Sequence, residues 1–139
     1  MTACTYLQKN IDIPLLLIRL TVGVIFIQTG WGKISHFSNT VEYFTMLGIP
    51  MPAINAAMAS VTEFGGGICT VLGLMSRLVS IPLSFVMCVA ILTAQLTEIH
   101  SLSDFIRLQE LDYMLFFVTL IFAGAGKFSV DYLIKKKLS

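Results

Sequence analysis

Two charged residues stand inside apolar stretches of this sequence, and they are its first candidates for chemistry. Arg19 interrupts a run that begins near Ile13, and Glu63 interrupts a run that begins near Ala53. A charge in hydrocarbon costs about 2.5–3.5 kcal/mol on insertion scales, so each should have a partner. If both runs are helices that cross a bilayer, the charges lie about 6 Å apart in depth, within reach of an extended arginine. The pattern predicts an Arg19–Glu63 ion pair, either structural or a polar site for a substrate, a proton or a quinone headgroup.

Three consecutive glycines follow Glu63 in the second run. Gly65, Cys69 and Gly73 recur every four residues, a spacing that favours close packing of helices. The alternative interpretation is that the glycines leave room for a ligand beside the carboxylate. The candidate intramembrane polar site therefore consists of Arg19, Glu63, Gly66 and Gly67.

A second group of polar and aromatic residues falls near the ends of the apolar runs, on one predicted side of the membrane. Such residues can hydrogen-bond the head of an amphipathic ligand, whose ring needs an apolar slot between helices. Tryptophan and tyrosine at these positions are also typical of an ordinary aromatic belt, so a purely structural role stays open. This outer cluster comprises Gln28, Trp31, Lys33, Gln95, Glu110, Asp112 and Tyr113.

Thiol, metal and nucleotide chemistry have little support in the sequence. Cys4, Cys69 and Cys88 are far apart, and their spacing favours neither a disulfide framework nor a thiol relay. His36 and His100 are more typical of exposed loop histidines than of a metal site. No Gly-rich phosphate loop follows a strand, so we expect no flavin or nicotinamide, and a quinone is the one cofactor left open.

The composition indicates that lipid surrounds most of the chain. Of 139 residues, 56% are hydrophobic and 12% are charged, whereas a soluble globular protein carries about 25% charged residues. This excludes a free cytosolic enzyme and a disordered regulator. The net charge of +1 excludes the basic surface of a nucleic-acid-binding protein. The length predicts one membrane domain over residues 1–139.

Four apolar windows approach the length of about 20 residues that a transmembrane helix needs. We therefore predict an all-α fold, a bundle of four transmembrane helices. The fourth window is the weakest, since only fourteen uncharged residues separate Asp112 from Lys127. The first window is similar to a signal peptide, but Arg19 lies inside it and no small-x-small cleavage pattern follows. The predicted spans are about 13–31, 53–74, 78–97 and 111–128.

The basic residues of the loops predict the orientation of the bundle. An even number of spans places both termini and the second-to-third turn on one side of the membrane. The other side holds two basic residues, Lys33 and Arg107, so both termini are predicted to be cytoplasmic. The lysines at 135–137 are then expected to lie at anionic headgroups. The cytoplasmic set comprises Lys9, Arg77, Lys127, Lys135, Lys136 and Lys137.

The connection between the first two spans contains a predicted helix of its own. Asn39 and Glu42 have the spacing of a capping box, and Gly48 is placed to end the helix just before Pro50 and Pro52. Apolar residues between these signals predict a short interfacial helix on the outer leaflet.

A series of motifs, in order along the chain, resembles the DoxX family. The resemblance covers roughly residues 14–131, and Ala125 stands where the closing family motif, Gly-Pro-Gly-x-x-Ser-x-Asp, has proline. The motifs are Arg19-Leu20 with Gly23, Gly30-Trp31-Gly32-Lys33, Leu47-Gly48-Ile49-Pro50, Glu63-Phe64-Gly65-Gly66-Gly67, Gly73-Leu74 with Arg77, and Gly124-Ala125-Gly126-Lys127-Phe128-Ser129-Val130-Asp131.

The resemblance implies a multi-pass protein of the bacterial cytoplasmic (inner) membrane with a link to quinone, thiol or oxidative-stress chemistry. The first hypothesis is a membrane component of a redox system that binds a lipophilic molecule or a partner oxidoreductase near Arg19 and Glu63. No residue is assigned as catalytic, and whether the chain is itself an enzyme stays open. The alternatives are a non-enzymatic membrane assembly module and a small proton-coupled carrier, which would have to be a homo-oligomer.

Overall fold

The computed structural model describes residues 10–96 and 98–139, and the regular elements of that part of the chain are all helical. The predicted all-α fold is confirmed for these residues. Cys4, Lys9 and Thr97, which entered the predictions above, lie outside them. The elements are α1 (Asp12–Ser35), α2 (Phe37–Met46), α3 (Pro52–Leu72), α4 (Ser76–Ala90), a π-helix that continues α4 (Ile91–Gln95), α5 (Leu102–Ile106), α6 (Gln109–Ala123) and α7 (Val130–Leu138).

A long helix lies in each of the four predicted windows, but the helices are not equally suited to cross a bilayer. By length and composition, two of the described helices qualify: α1, and α4 with its π-helical continuation over Ser76–Gln95. The helix α3 has 21 residues but includes the polar residues Asn55, Ser60 and Glu63. The helix α6 has 15 residues, fewer than the roughly 20 that a span needs. The four-span arrangement therefore stays a prediction.

Large apolar side chains cover the outside of the helices. Leu17 on α1, Ile54 on α3, Phe85 on α4 and Phe122 on α6 are all exposed. Soluble monomers rarely expose contiguous apolar surface on this scale. The exposed surface is thus one that lipid can cover, as the composition predicts.

The helices α1 and α3 pack closely in an antiparallel pair, and glycines make the approach possible. A Cβ added to Gly30 would lie 2.5 Å from the backbone nitrogen of Phe64, and one added to Gly67 would lie 2.9 Å from the carbonyl oxygen of Gly23. The predicted small-residue stripe is wrong at Gly65, where an added Cβ would meet no heavy atom within 4 Å. Packing uses Gly67 instead, because it faces α1.

A second pair, α4 with α6, joins the first through an aromatic core. The ring of Phe26 on α1 meets the rings of Phe117 and Tyr113 on α6 edge to face, with centroid distances of 4.9 and 5.5 Å. This geometry is the favourable one for aromatic pairs. Leu83 of α4 is fully buried in the same cluster. The two helix pairs are therefore held together at mid-length.

The connection between α1 and α3 is helical, but it begins earlier than predicted. The helix α2 starts at Phe37 and no side chain caps it, so the predicted capping box of Asn39 and Glu42 is wrong. The reason is that α2 follows α1 with only His36 between them, which places Asn39 inside the first turn. The end is as expected, because Gly48 adopts a φ of +71° and the amide of Ile49 donates back to the carbonyl of Phe44 at 3.1 Å.

Candidate functional site

A cavity of about 720 Å³ lies between the two helix pairs, at the end of the bundle where α1 finishes and α3 begins. Its walls come from the last turns of α1, one face of α2, the first half of α3, the end of α4 with its π-helix, and the start of α6. Most of the lining is apolar or aromatic, as in small-molecule sites of this size. We name this cavity the outer cleft, and its polar lining residues include Lys33, Asn55, Thr62, Glu63, Thr93, Gln95 and Glu110.

An ion pair forms the most buried polar feature of the outer cleft. Lys33 Nζ donates to Glu63 Oε1 at 2.5 Å, and the Glu63 side chain is only 2% exposed, against 32% for Lys33. The second carboxylate oxygen, Oε2, is buried and has no hydrogen-bond partner among the described residues. A buried acceptor without a partner costs about 1–3 kcal/mol. The hydroxyl or amino group of a ligand would remove that penalty.

The predicted Arg19–Glu63 ion pair is wrong, because the two side chains lie at different levels of the bundle. Gly30 packs on Phe64, so Glu63 lies roughly eleven residues beyond Arg19, or about 16 Å along α1. Side chains of a helix tilt toward its N-terminus. In this antiparallel pair Arg19 and Glu63 therefore lean apart, whereas Lys33, near the end of α1, leans toward Glu63.

The depth estimate failed because it assumed that α3 begins level with the end of α1. The contact of Gly30 with Phe64 sets the register of the two helices. Ser35 is five residues beyond Gly30, while Pro52 is twelve residues before Phe64. The helix α3 thus extends about two turns past α1, and α2 packs against this extension. Glu63 is correspondingly close to the last turns of α1.

Arg19 instead binds the opposite end of the bundle. It is 1% exposed, and its guanidinium donates to four backbone carbonyls, those of Thr70 (3.0 Å), Val71 (2.9 Å), Ala125 (2.7 Å) and Phe128 (2.8 Å). The first two belong to the last turn of α3, where carbonyls lack partners within the helix. Arg19 therefore ties the end of α3 to the loop between α6 and α7, and it takes no part in the outer cleft.

The same end of the bundle contains a second link that the sequence analysis missed. The carboxylate of Asp131 accepts from the amides of Met75 (2.8 Å) and Ser76 (3.3 Å) at the start of α4. Gly73, with a φ of +69°, makes the turn between α3 and α4. The sequence signal for this link was the spacing of the closing Gly124–Asp131 motif. In the structure this motif has a structural role.

Gly66 and Gly67 are closed off by helix packing. A Cβ added to Gly66 would lie 2.8 Å from the Leu83 side chain, and one added to Gly67 would lie 2.7 Å from the backbone nitrogen of Ile27. Neither glycine lines the outer cleft. The structure thus brings neither of them to Glu63 as space for a ligand.

The outer cluster is brought together only in part. Lys33, Gln95, Glu110 and Tyr113 line the outer cleft, and Gln95 Nε2 donates to Glu110 Oε1 at 3.2 Å. The other three lie outside it: Trp31 is exposed and packs on Phe64, with a centroid distance of 5.9 Å, and Gln28 and Asp112 are exposed. Four cluster residues and Glu63 therefore share one cavity.

One wall of the outer cleft was missed although the sequence contains its signal. Thr40, Tyr43, Phe44 and Leu47 of α2 and its C-cap line the cavity. They recur at i, i+3, i+4 and i+7, which is one face of a helix. The apolar side of this segment is predicted from the sequence to lie on the membrane surface, and only the packing of α2 on α3 turns this face inward.

Metal and thiol residues do not converge in the part of the chain that the structure describes. No group of three or more His, Cys, Asp or Glu residues is placed to hold a metal ion there. Cys69 and Cys88 are free thiols, and Cys88 is exposed. His36 is one of the residues that line the outer cleft.

Comparison with known proteins identifies a family and several relatives to which this chain is similar. The family model described as DoxX matches residues 14–96. "Inner membrane protein YqjF" of Escherichia coli (strain K12) is 29% identical over 134 residues, 94% of this chain and 99% of that protein. "Putative oxidoreductase CatD" of Bacillus subtilis (strain 168) is 28% identical over 120 residues, 86% and 84% of the two chains. "Inner membrane protein YphA" of E. coli (strain K12) is 43% identical over 63 residues, 45% of each chain. No solved structure matches.

Proposed function

This chain belongs to the DoxX family of membrane proteins, and we propose that it binds an amphipathic small molecule in the outer cleft as the membrane component of a redox system. The resemblance seen in the motifs is confirmed by the family match over residues 14–96. The similarity to a protein named as an oxidoreductase supports the redox link. The names of two relatives support a place in the inner membrane.

The observation that carries the proposal is the buried Oε2 of Glu63, which has no hydrogen-bond partner within residues 10–96 and 98–139. The Lys33 ammonium has three N–H groups, one of which is used by Glu63. The pair thus presents a donor and an acceptor side by side at the polar end of an apolar cavity. A ring hydroxyl or carbonyl fits this arrangement, with the ring itself against apolar walls such as Phe26 and Phe85. A quinone or its reduced form is the ligand class we propose.

We further propose that four spans place both termini in the cytoplasm and the outer cleft in the outer half of the membrane. Two described helices support this by length and composition. Basic residues of the described chain gather at the end that contains the α3–α4 turn, with Arg77, Lys127 and the lysines at 135–137. Lys33 and Arg107 belong to the other end. The asymmetry follows the rule that cytoplasmic loops are enriched in lysine and arginine.

The test compares wild type, Glu63→Gln and Glu98→Gln, the last a carboxylate that is exposed and outside the outer cleft. A short-chain benzoquinone and its hydroquinone are titrated by calorimetry into each purified protein. Loss of a hydrogen bond to a charged group, worth about 1.5–3 kcal/mol, should weaken binding of the hydroquinone about ten- to a hundredfold in Glu63→Gln alone. Equal affinities in all three proteins would contradict the proposal.

The partner is a separate part of the proposal. We assign electron transfer to a membrane-associated oxidoreductase, and copurification of a soluble redox enzyme with the tagged protein tests it. If none copurifies while cells without the chain lose a membrane complex, the non-enzymatic assembly module is the better interpretation.

A second candidate function rests on the burial of Glu63. An ionisable residue inside a helix bundle is typical of proton-coupled transport, and Glu63 is nearly inaccessible. A homo-oligomeric carrier of this kind would show saturable, pH-dependent uptake of the same benzoquinone into proteoliposomes, abolished by Glu63→Gln and unchanged by Glu98→Gln.

A further inference from the structure

The C-terminal helix α7 carries an apolar stripe that is exposed beyond its first residue. Val130, Leu133, Ile134 and Leu138 recur at helical spacing, and Leu133 and Leu138 are 63% and 84% exposed. No residue of α7 is buried. Its start is nevertheless held firmly, since the Ser129 hydroxyl accepts from the amide of Tyr132 at 3.2 Å and Asp131 binds the start of α4. The start of α7 is therefore fixed to the bundle while its apolar stripe is exposed.

Three lysines lie in the last turn of α7, next to the apolar residues. Within residues 10–96 and 98–139 the ion pairs are Lys33–Glu63 and Lys127–Asp12. The lysines at 135–137 thus have no carboxylate partner in the described chain. A short helix with an apolar stripe and an excess of lysine is the pattern of segments that lie in the interface of an anionic membrane.

A cavity of about 330 Å³ lies where α7 meets the start of α4. Arg77 and Lys135 are its basic lining residues, and Asp131 is its acidic one. The Asp131 carboxylate already accepts two amide hydrogen bonds from α4, whereas Arg77 makes one long contact, 3.4 Å, from Nη2 to the carbonyl of Phe122. The Arg77 guanidinium lies against Gly124, where an added Cβ would come within 3.1 Å of Nε. Two cations therefore remain available at the mouth of this cavity.

We propose that Arg77 and Lys135 bind the phosphate group of an anionic phospholipid, with α7 lying in the cytoplasmic membrane interface. The planar guanidinium suits two phosphate oxygens, and Lys135 adds a point charge. The acyl chains continue along the exposed apolar surface, to which Leu78 of α4 and Phe128 beside α7 contribute. This surface is continuous with the lipid-facing side of the helices, which favours a lipid over a soluble partner.

The lipid site is independent of the ligand site in the outer cleft, although its place at the cytoplasmic interface rests on the proposed topology. It lies beside the α3–α4 turn, at the end of the bundle opposite the outer cleft, and the two cavities share no residue. Loss of ligand binding in the outer cleft would leave the lipid proposal intact, and the reverse also holds.

The first experiment measures the thermal unfolding midpoint of the full chain in detergent, with phosphatidylglycerol or phosphatidylcholine added. We expect phosphatidylglycerol to raise the midpoint of wild type by about 5 °C and phosphatidylcholine to leave it unchanged. Arg77→Gln and Lys135→Gln should each lose at least half of the shift. Arg107→Gln, an exposed arginine at the other end of the bundle, should keep all of it.

Three results would overturn the proposal: equal shifts with both lipids, equal shifts in all variants, or the same shift from glycerol 3-phosphate, which would mean a site for a free anion. Reduced folding of Arg77→Gln does not obscure the test, because Lys135 lies on exposed α7 and its variant reports the same site.

The position of α7 is tested separately in a Trp31→Phe background, which removes the single tryptophan. Acyl-chain bromines should quench a tryptophan introduced as Leu133→Trp and spare one introduced as Lys136→Trp. Equal quenching at the two positions would show that α7 does not lie in the interface.

Discussion

Lys33 and Glu63 meet because Lys33, near the end of α1, lies beside the middle of the antiparallel α3, and the two side chains lean toward one another. Their contact of 2.5 Å uses one carboxylate oxygen and leaves the other buried without a partner among the described residues. The pair is therefore both a structural link between α1 and α3 and the polar end of the outer cleft.

The structural part of this role predicts non-additive stability changes. Lys33→Met leaves the Glu63 carboxylate buried without its cation, so the free energy of unfolding should fall by about 3 kcal/mol. In Lys33→Met/Glu63→Gln the charge is removed as well, and most of the loss should be recovered. Chemical unfolding in detergent measures this cycle, and a double variant as unstable as the sum of the singles would contradict it.

Arg19 should tolerate no replacement, even by another cation. Lysine has one ammonium and no planar fork, so Arg19→Lys cannot serve the four carbonyls that the guanidinium now binds. Each buried carbonyl left without a donor costs about 1–3 kcal/mol. The thermal midpoint should fall steeply in Arg19→Lys, while the exposed Arg107→Lys should keep the wild-type value.

Two glycine variants should move stability in opposite directions. Gly30→Ala would place a methyl group 2.5 Å from the backbone nitrogen of Phe64 and force α1 and α3 apart. Gly65→Ala meets no atom within 4 Å and should stabilise α3 by about 0.5–1 kcal/mol, since alanine is the better helix former. Unfolding measurements on both variants check the register; equal effects would mean that the helices meet along a different face.

The inward face of α2 predicts a contribution to ligand binding. Tyr43 lines the outer cleft, whereas Met46, on the same helix, is exposed and lines no part of it. Tyr43→Ala should weaken binding of the short-chain benzoquinone several-fold in calorimetry, and Met46→Ala should not. If both variants bind the benzoquinone with wild-type affinity, α2 packs on α3 without contributing to ligand binding.

The proposed topology predicts the behaviour of reporter fusions. A fluorescent reporter that folds only in the cytoplasm should be active after Ser139, and an alkaline phosphatase should be active when inserted at His100. If instead the phosphatase is active after Ser139 and the fluorescent reporter is active at His100, the orientation is the reverse of the proposed one, and the outer cleft lies on the cytoplasmic side. The lipid proposal would fail with it, because α7 would face the outer leaflet.

The helical class and the positions of the long helices could be predicted from the sequence. In lipid every backbone polar group must be satisfied within its own segment, so long apolar runs can only be helices. Gly48 marked the end of α2 for a similarly local reason, since its φ of +71° strains any residue with a side chain. The start of α2 was predicted wrongly because α1 continues almost to Phe37. The start of α2 is therefore set by the end of the neighbouring helix and not by a capping side chain.

The sequence by itself thus determined that Arg19 and Glu63 need partners, while only the tertiary structure decided which ones. The need is local, because it follows from the free energy of a charge in an apolar run. The choice depends on the register of α1 against α3 and on the opposite tilts of their side chains. An offset of about two turns between the end of α1 and the start of α3, set by glycine contacts such as Gly30 with Phe64, brings Glu63 to Lys33 and leaves Arg19 to bind four backbone carbonyls.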